Sequence, residues 1–183
     1  MMNLAGKLLI APPSVKGNFW YKTVILITEH HNNGSLGLVL NKRSQMTVSE
    51  FAEQCGHEME YSNYLYLGGP VNVKALCMLH SADWSCSNTM RVTDNLAISS
   101  AEDLLPKMAM RNSPFQWRMF MGLCGWAPGQ LENEIKGNPP FNHNTSWLIA
   151  NPDYGLIFEN DLKEQWTHAV DRSGQEFAHS ILT

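Results

Sequence analysis

Glu29-His30 sets a carboxylate beside an imidazole, two groups that can exchange protons near neutral pH. The pair ends an apolar run, and an extended chain turns neighbouring side chains to opposite faces, which opposes a direct Glu29–His30 contact. A histidine bonded to turn carbonyls is the simpler structural reading. Cys124 stands just before a helix-like segment, where a thiol can be acidified into a nucleophile; the competing reading is a small buried residue at a strand end. His80 closes another apolar run and is a second candidate base. Gly125-Trp126-Ala127-Pro128-Gly129 then leads through Gln130 into a helix whose first amides could hold an anion, the alternative being a sharp turn with Trp126 packed beneath it. Glu132 and Glu134, read as first-turn carboxylates, already complement that helix start. Gly68-Gly69-Pro70 could admit a ligand to bare backbone but fits a tight turn better.

Other chemistries lack their residues. His-x-x-x-His, Cys-x-x-Cys, Gly-x-Ser-x-Gly and Walker patterns do not occur, and His31, His57, His143 and His168 are dispersed over turns and a helix surface. The sequence therefore implies neither a metal nor a cofactor. Thirteen Lys and Arg against seventeen Asp and Glu give a net charge of -4, a field that repels phosphate backbones. Lys42-Arg43 is the one local basic concentration, which is short for a nucleic-acid surface, so direct DNA or RNA binding is disfavoured. The opening Met-Met-Asn-Leu begins no signal-peptide succession, so free thiols and a cytoplasmic location are expected. Nor does any apolar run approach the roughly 20 residues that cross a bilayer, so no membrane insertion is expected. The ten methionines read as deformable core.

The elements that must position these groups follow from patterning. At 183 residues, 44% hydrophobic and 16% charged, the chain is expected to form a single domain over 1–183. Residues 7–11 and 21–28 are rich in β-branched and large apolar side chains, and the turn residues 31–34 lead to another apolar run at 36–40, together a hairpin. Thr47-x-x-Glu50 is a capping box ahead of Val48, Phe51, Ala52 and Cys55, with Gly56 placed to end the helix. Residues 64–67 and 75–80 read as strands around the Gly68-Gly69-Pro70 turn. Ser99-x-x-Glu102 opens a pattern with Ala101, Leu104, Leu105 and Met108 on one stripe, which Pro106 should break. Residues 116–124 predict a strand, 125–127 a tight loop, 128–136 a short helix, and 147–150 with 156–158 a last strand pair. Asp161-x-x-Glu164 starts a helix carrying Leu162, Trp166, Ala169 and Val170, closed by Gly174, with a further turn using Phe177, Ala178 and Ile181. Strands joined by turns rather than helical crossovers give an α+β class with a mostly antiparallel sheet and helices packed on it.

Several segments together resemble the YqgE/AlgH family, also called UPF0301. They are Leu4-Ala5-Gly6-Lys7-Leu8-Leu9-Ile10-Ala11, Glu29-His30 with Gly37-Leu38-Val39-Leu40-Asn41, Gly68-Gly69-Pro70-Val71, Gly125-Trp126 with Gly129-Gln130-Leu131-Glu132-Asn133-Glu134-Ile135, and Trp147-Leu148. The match runs in order over nearly the whole chain. It implies a bulged, largely antiparallel sheet and brings no established activity; one member is named as a regulator of alginate production. The leading expectation is a non-catalytic binding or regulatory module that presents Glu29, His30, Asn41, Gly69, Pro70, His80, Cys124, Gly125, Trp126 and Gln130 to a protein or small-molecule partner. The alternative is an enzyme, thiol-dependent through Cys124 or a hydrolase assisted by His30 or His80.

Overall fold

A computed structural model describes residues 3–100, 102–140, 146–158 and 161–182. Ala101 and His143, both assigned above from sequence, lie outside them. The class is α+β with bulged, mostly antiparallel strand pairing, as expected, and the contacts divide it into two compact units.

The first unit comprises Met1–Asn41 and Cys124–Thr183. Its strands are β1 (Leu8–Ile10), β2 (Val24–His31), β3 (Gly34–Val39), the end of β9 (Trp117–Trp126) and β10 (Leu148–Ala150), in the order β10-β1-β2-β3-β9, every pair antiparallel. β1 is buried along its whole length and β2 from Val24 to Thr28, which is why both read as continuous apolar runs rather than alternating ones. The β2–β3 hairpin turns where Asn32 and Asn33 precede Gly34, and a bulge between Ile27 and Glu29 shifts its register. Leu9, Ile25, Ile27, Val39, Cys124, Trp126 and Leu131 form the core.

Three helices belong to this unit among the described residues: α3 (Gln130–Lys136), α4 (Tyr154–Phe158) and α5 (Leu162–Leu182). The expected strand at 156–158 is instead α4, because Asp153 Oδ1 accepts the Leu156 amide at 2.9 Å and so caps a helix start that its apolar run conceals. Nor does α5 close at Gly174; it runs on through Leu182, and Gly174 faces open space. One glycine costs a helix about 1 kcal/mol, too little to end 21 residues anchored by Gln165 and Ala169. α5 also covers the outer edge of β10: Ser173 Oγ donates to the Ile149 carbonyl at 2.9 Å, and the Asn151 amide donates to Glu176 at 3.0 Å.

The second unit is Lys42–Leu123. It holds β4 (Arg43–Thr47), α1 (Val48–Gln54), β5 (Tyr64–Leu67), β6 (Val71–Ser81), β7 (Met90–Arg91), β8 (Leu96–Ser99), α2 (Leu104–Ala109) and β9 up to Leu123. β9 pairs parallel with β5 and antiparallel with β6, while β8 follows β6, β7 follows β8 and β4 flanks β5. α1 carries the expected capping box, Thr47 Oγ1 accepting the Glu50 amide while Glu50 accepts the Thr47 amide. The expected helix start at Ser99 is displaced: Ser99 ends β8, paired with Met78, and α2 begins at Leu104. Pro106 sits in the first turn of α2, where a missing amide costs nothing, so the helix is not broken there. Val48, Leu65, Met78, Leu104, Met108 and Met119 make the core, methionines included.

Candidate functional site

The site grows from two bends of the first unit that meet. β3 pairs with the end of β9 through Ser35 and Trp126, Leu36 and Gly125, and Gly37 and Cys124. Gly125 and Trp126 are therefore strand residues, not the tight loop expected, and the bend is 127–129. At the hairpin tip Gly34 adopts φ +129, and a β-carbon there would lie 2.4 Å from the Trp126 carbonyl oxygen. Only glycine permits the two backbones to come this close. The turn 31–34 and the strand end 125–126 with its bend 127–129 thus share a rim where His31, Asn32, Asn33, Gly125, Ala127, Pro128 and Gly129 are exposed.

Beneath the rim the polar groups are tied to one another. His30 is buried at 7% exposure; its Nδ1 lies 2.8 Å from Ser35 Oγ, and its Nε2, which has no hydrogen-bond partner among the described residues, points at Glu132 Oε1 3.5 Å away. The acid that faces His30 is therefore Glu132 of α3. Glu29 points the other way and meets His31 at 3.8 Å, the outcome that strand alternation implied. Glu134 Oε2 accepts the Trp126 indole N–H at 3.1 Å and the Trp147 indole N–H at 2.8 Å, while its Oε1 accepts from Gln130 Nε2 at 2.8 Å. Gln130 Oε1 in turn accepts the Ala127 amide at 3.0 Å. Glu134 thus serves three side-chain donors; among the described residues Glu132 is the first-turn acid.

This network matters because α3 is only seven residues long and buries one side chain, Leu131. Burying a leucine contributes about 1.5–3 kcal/mol, and a helix this short is marginal by itself. Charge-assisted bonds from Glu134 supply the rest, and they fix the bend 127–129 against β9.

The remaining candidate residues fall in different places. Cys124 is buried in the same core cluster as Trp126, and burial pushes its thiol up to about 12, opposite to the shift a nucleophile needs. Asn41, at the other end of β3, accepts the Val24 amide at 3.0 Å and donates to the Lys22 carbonyl at 2.7 Å, closing the end of the hairpin. In the second unit Gly69 holds φ 155, a glycine conformation, beside exposed Pro70, and the Gly68 amide donates to the Met121 carbonyl at 2.9 Å. His80 is fully buried there: Nδ1 meets the Ser81 carbonyl at 2.8 Å, Nε2 meets Ser99 Oγ at 2.9 Å, and Trp84 packs edge-on against its ring. Burial lowers its pKa, so this histidine is held neutral.

His30, Cys124, Gly125, Trp126 and Gln130 are thus brought together with Glu29 at their margin, joined by Ser35, Glu132, Glu134 and Trp147. The spacing of Gln130 and Glu134 carries that part of the signal, since i and i+4 meet on a helix. Ser35 and the indole contacts of Glu134 depend on strand register, which spacing within one segment does not contain. Among the described residues no group of three or more His, Cys, Asp or Glu side chains could hold a metal ion, and no helix is long and apolar enough to cross a membrane.

Comparison with known proteins gives relatives of the chain as a whole. A family model described as AlgH-like matches residues 8–178. A UPF0301 protein of Caulobacter vibrioides is 32% identical over 98% of this chain and 92% of its own, and one of Mannheimia succiniciproducens is 30% identical over 98% and 97%. The solution structure of the AlgH protein from Pseudomonas aeruginosa superposes with a TM-score of 0.77 at 28% identity, covering 94% of this chain and 89% of that one.

Proposed function

The chain belongs to the AlgH-like family, and from that premise we propose that it is a non-catalytic binding module whose docking surface is the rim formed by residues 31–34 and 125–130. The observation that carries this reading is the separation of chemistry from exposure. Apart from His31, the exposed rim is made of short side chains and bare backbone, held rigid by the Gly34–Trp126 approach and the Glu134 network. The two groups that the sequence offers for catalysis here, His30 and Cys124, lie underneath, His30 against Ser35 and Glu132 and Cys124 raised in pKa by burial. A rigid, preorganised surface loses little freedom on binding, which favours recognition.

A photo-cross-linking residue at Ala127, exposed and joined to the polar network only through its backbone amide, tests the proposal in an extract of the native bacterium. A discrete adduct is expected that a cross-linker at Glu53, in the second unit, does not give. The same bands from both positions, or none from Ala127, would count against the rim. An Ala127→Arg substitution should abolish capture of that partner by immobilised protein while leaving the fold intact, because the side chain points into solvent.

A further inference from the structure

We propose that the rim receives a basic segment of a partner protein, with a lysine or arginine head group seated against Glu132 and His30. This rests on the docking reading above and adds the chemistry of the occupant. The two stretches that build the site, residues 23–41 and 124–135, contain no lysine or arginine, whereas Glu29, Glu132 and Glu134 lie within them. Glu134 is committed to two indoles and an amide, which leaves Glu29 and Glu132, with side chains 31% and 23% exposed, as the carboxylates open to a partner.

The second observation is independent of charge counting. His30 is more than nine-tenths buried, its Nδ1 is satisfied by Ser35, and its Nε2 is aimed at Glu132 with no hydrogen bond of its own among the described residues. A nitrogen and a carboxylate oxygen that face each other at 3.5 Å without bonding make an acceptor pair when Nδ1 carries the imidazole proton. An ammonium or guanidinium offers several N–H groups from one head and can bond Glu132 at the surface, its charge then lying beside the buried Nε2 lone pair. An anionic ligand would meet two carboxylates and no fixed cation from either stretch. The net charge of -4 adds long-range attraction for a basic partner.

Amide and histidine-ring NMR spectra of the intact protein, titrated with an end-capped tetra-arginine peptide and with end-capped tetra-glutamine, decide the matter. Tetra-arginine should shift amides of residues 125–132 and the His30 ring, with tetra-glutamine producing neither change. Glu132→Gln should weaken tetra-arginine binding by roughly tenfold, in line with the loss of one charge-assisted contact. Glu29→Gln should weaken it less, and Glu53→Gln, remote in sequence and on the second unit, should leave it unchanged. Shifts scattered evenly over surface carboxylates, equal effects of Glu132→Gln and Glu53→Gln, or no binding at low salt would overturn the assignment. If the peptide fails while capture through Ala127 persists, the charge assignment falls and the docking rim stands; loss of both removes both.

Discussion

At the scale of single residues, the same side chain types that suggest catalysis in the sequence are held in structural bonds. Glu134 is the clearest case, because one carboxylate accepts from Trp126, Trp147 and Gln130. Replacing it by glutamine puts an amide N–H against those donors and should cost about 2 kcal/mol in urea unfolding; a loss under about 0.5 kcal/mol would mean the bonds are exchangeable with water. Protonation gives a second expectation. His80 has a folded-state pKa below its ordinary 6.5 because burial disfavours the charged form. The unfolded chain therefore binds the proton first, so its contribution is full above pH 6.5 and is lost as pH falls below it. A His80→Gln variant, if folded, should show a shallower acid-side loss of stability than the parent. The buried thiols act at the alkaline end. Cys77 and Cys124 are both pushed up to about 12 from 9.0, so between those values the unfolded chain releases protons that the folded one retains. Stability should fall as pH rises through that window by about 1.4 kcal/mol per unit for each thiol. Alkylation of native protein at pH 8 should modify exposed Cys55 and spare Cys77 and Cys124.

At the scale of elements, helix ends that are marked by local hydrogen bonding are legible from sequence, and those decided by tertiary contacts are not. Thr47 and Glu50 bond to each other's backbone within one turn, so α1 is visible in four letters. Ser99 and Glu102 carry the same spacing, yet Ser99 pairs with Met78 in a sheet, a competitor that its neighbours in sequence do not reveal. The apolar run at 156–158 is equally ambiguous between strand and helix until the Asp153 cap decides it. Gly174 offers a direct check on α5. It sits within the helix with nothing near the place a β-carbon would occupy, so Gly174→Ala should stabilise the protein by about 0.5–1 kcal/mol. A destabilisation would mean that the helix ends at 174 in solution. The cover that α5 gives β10 also predicts a behaviour. Ser173→Ala combined with Glu176→Ala removes one side chain bonded to the strand at Ile149 and one bonded just past its end at Asn151, and concentration-dependent aggregation should follow, measured by light scattering.

At the scale of the whole molecule, the order of α and β segments and their mainly antiparallel pairing follow from turn spacing, and the match to AlgH-like proteins agrees. The rim was legible in part. Glu29-His30 and Gly125-Trp126 stand out as bends near polar groups, but their meeting depends on β3 lying beside β9, which are separated by more than 70 residues of chain. Gly69, Pro70 and His80 are equally prominent in sequence and belong to the second unit, each with a local structural account. Under the proposed function the rim binds a partner above a buried layer in which the Cys124 thiol is raised in pKa by burial. The most direct measurement is calorimetric titration of the partner captured through Ala127 against wild type, Cys124→Ala and Ala127→Arg. Cys124→Ala should bind within about threefold of wild type, and Ala127→Arg should lose at least roughly tenfold, the scale of one disrupted contact centre. Unchanged affinity in Ala127→Arg, together with loss in Cys124→Ala, would contradict it.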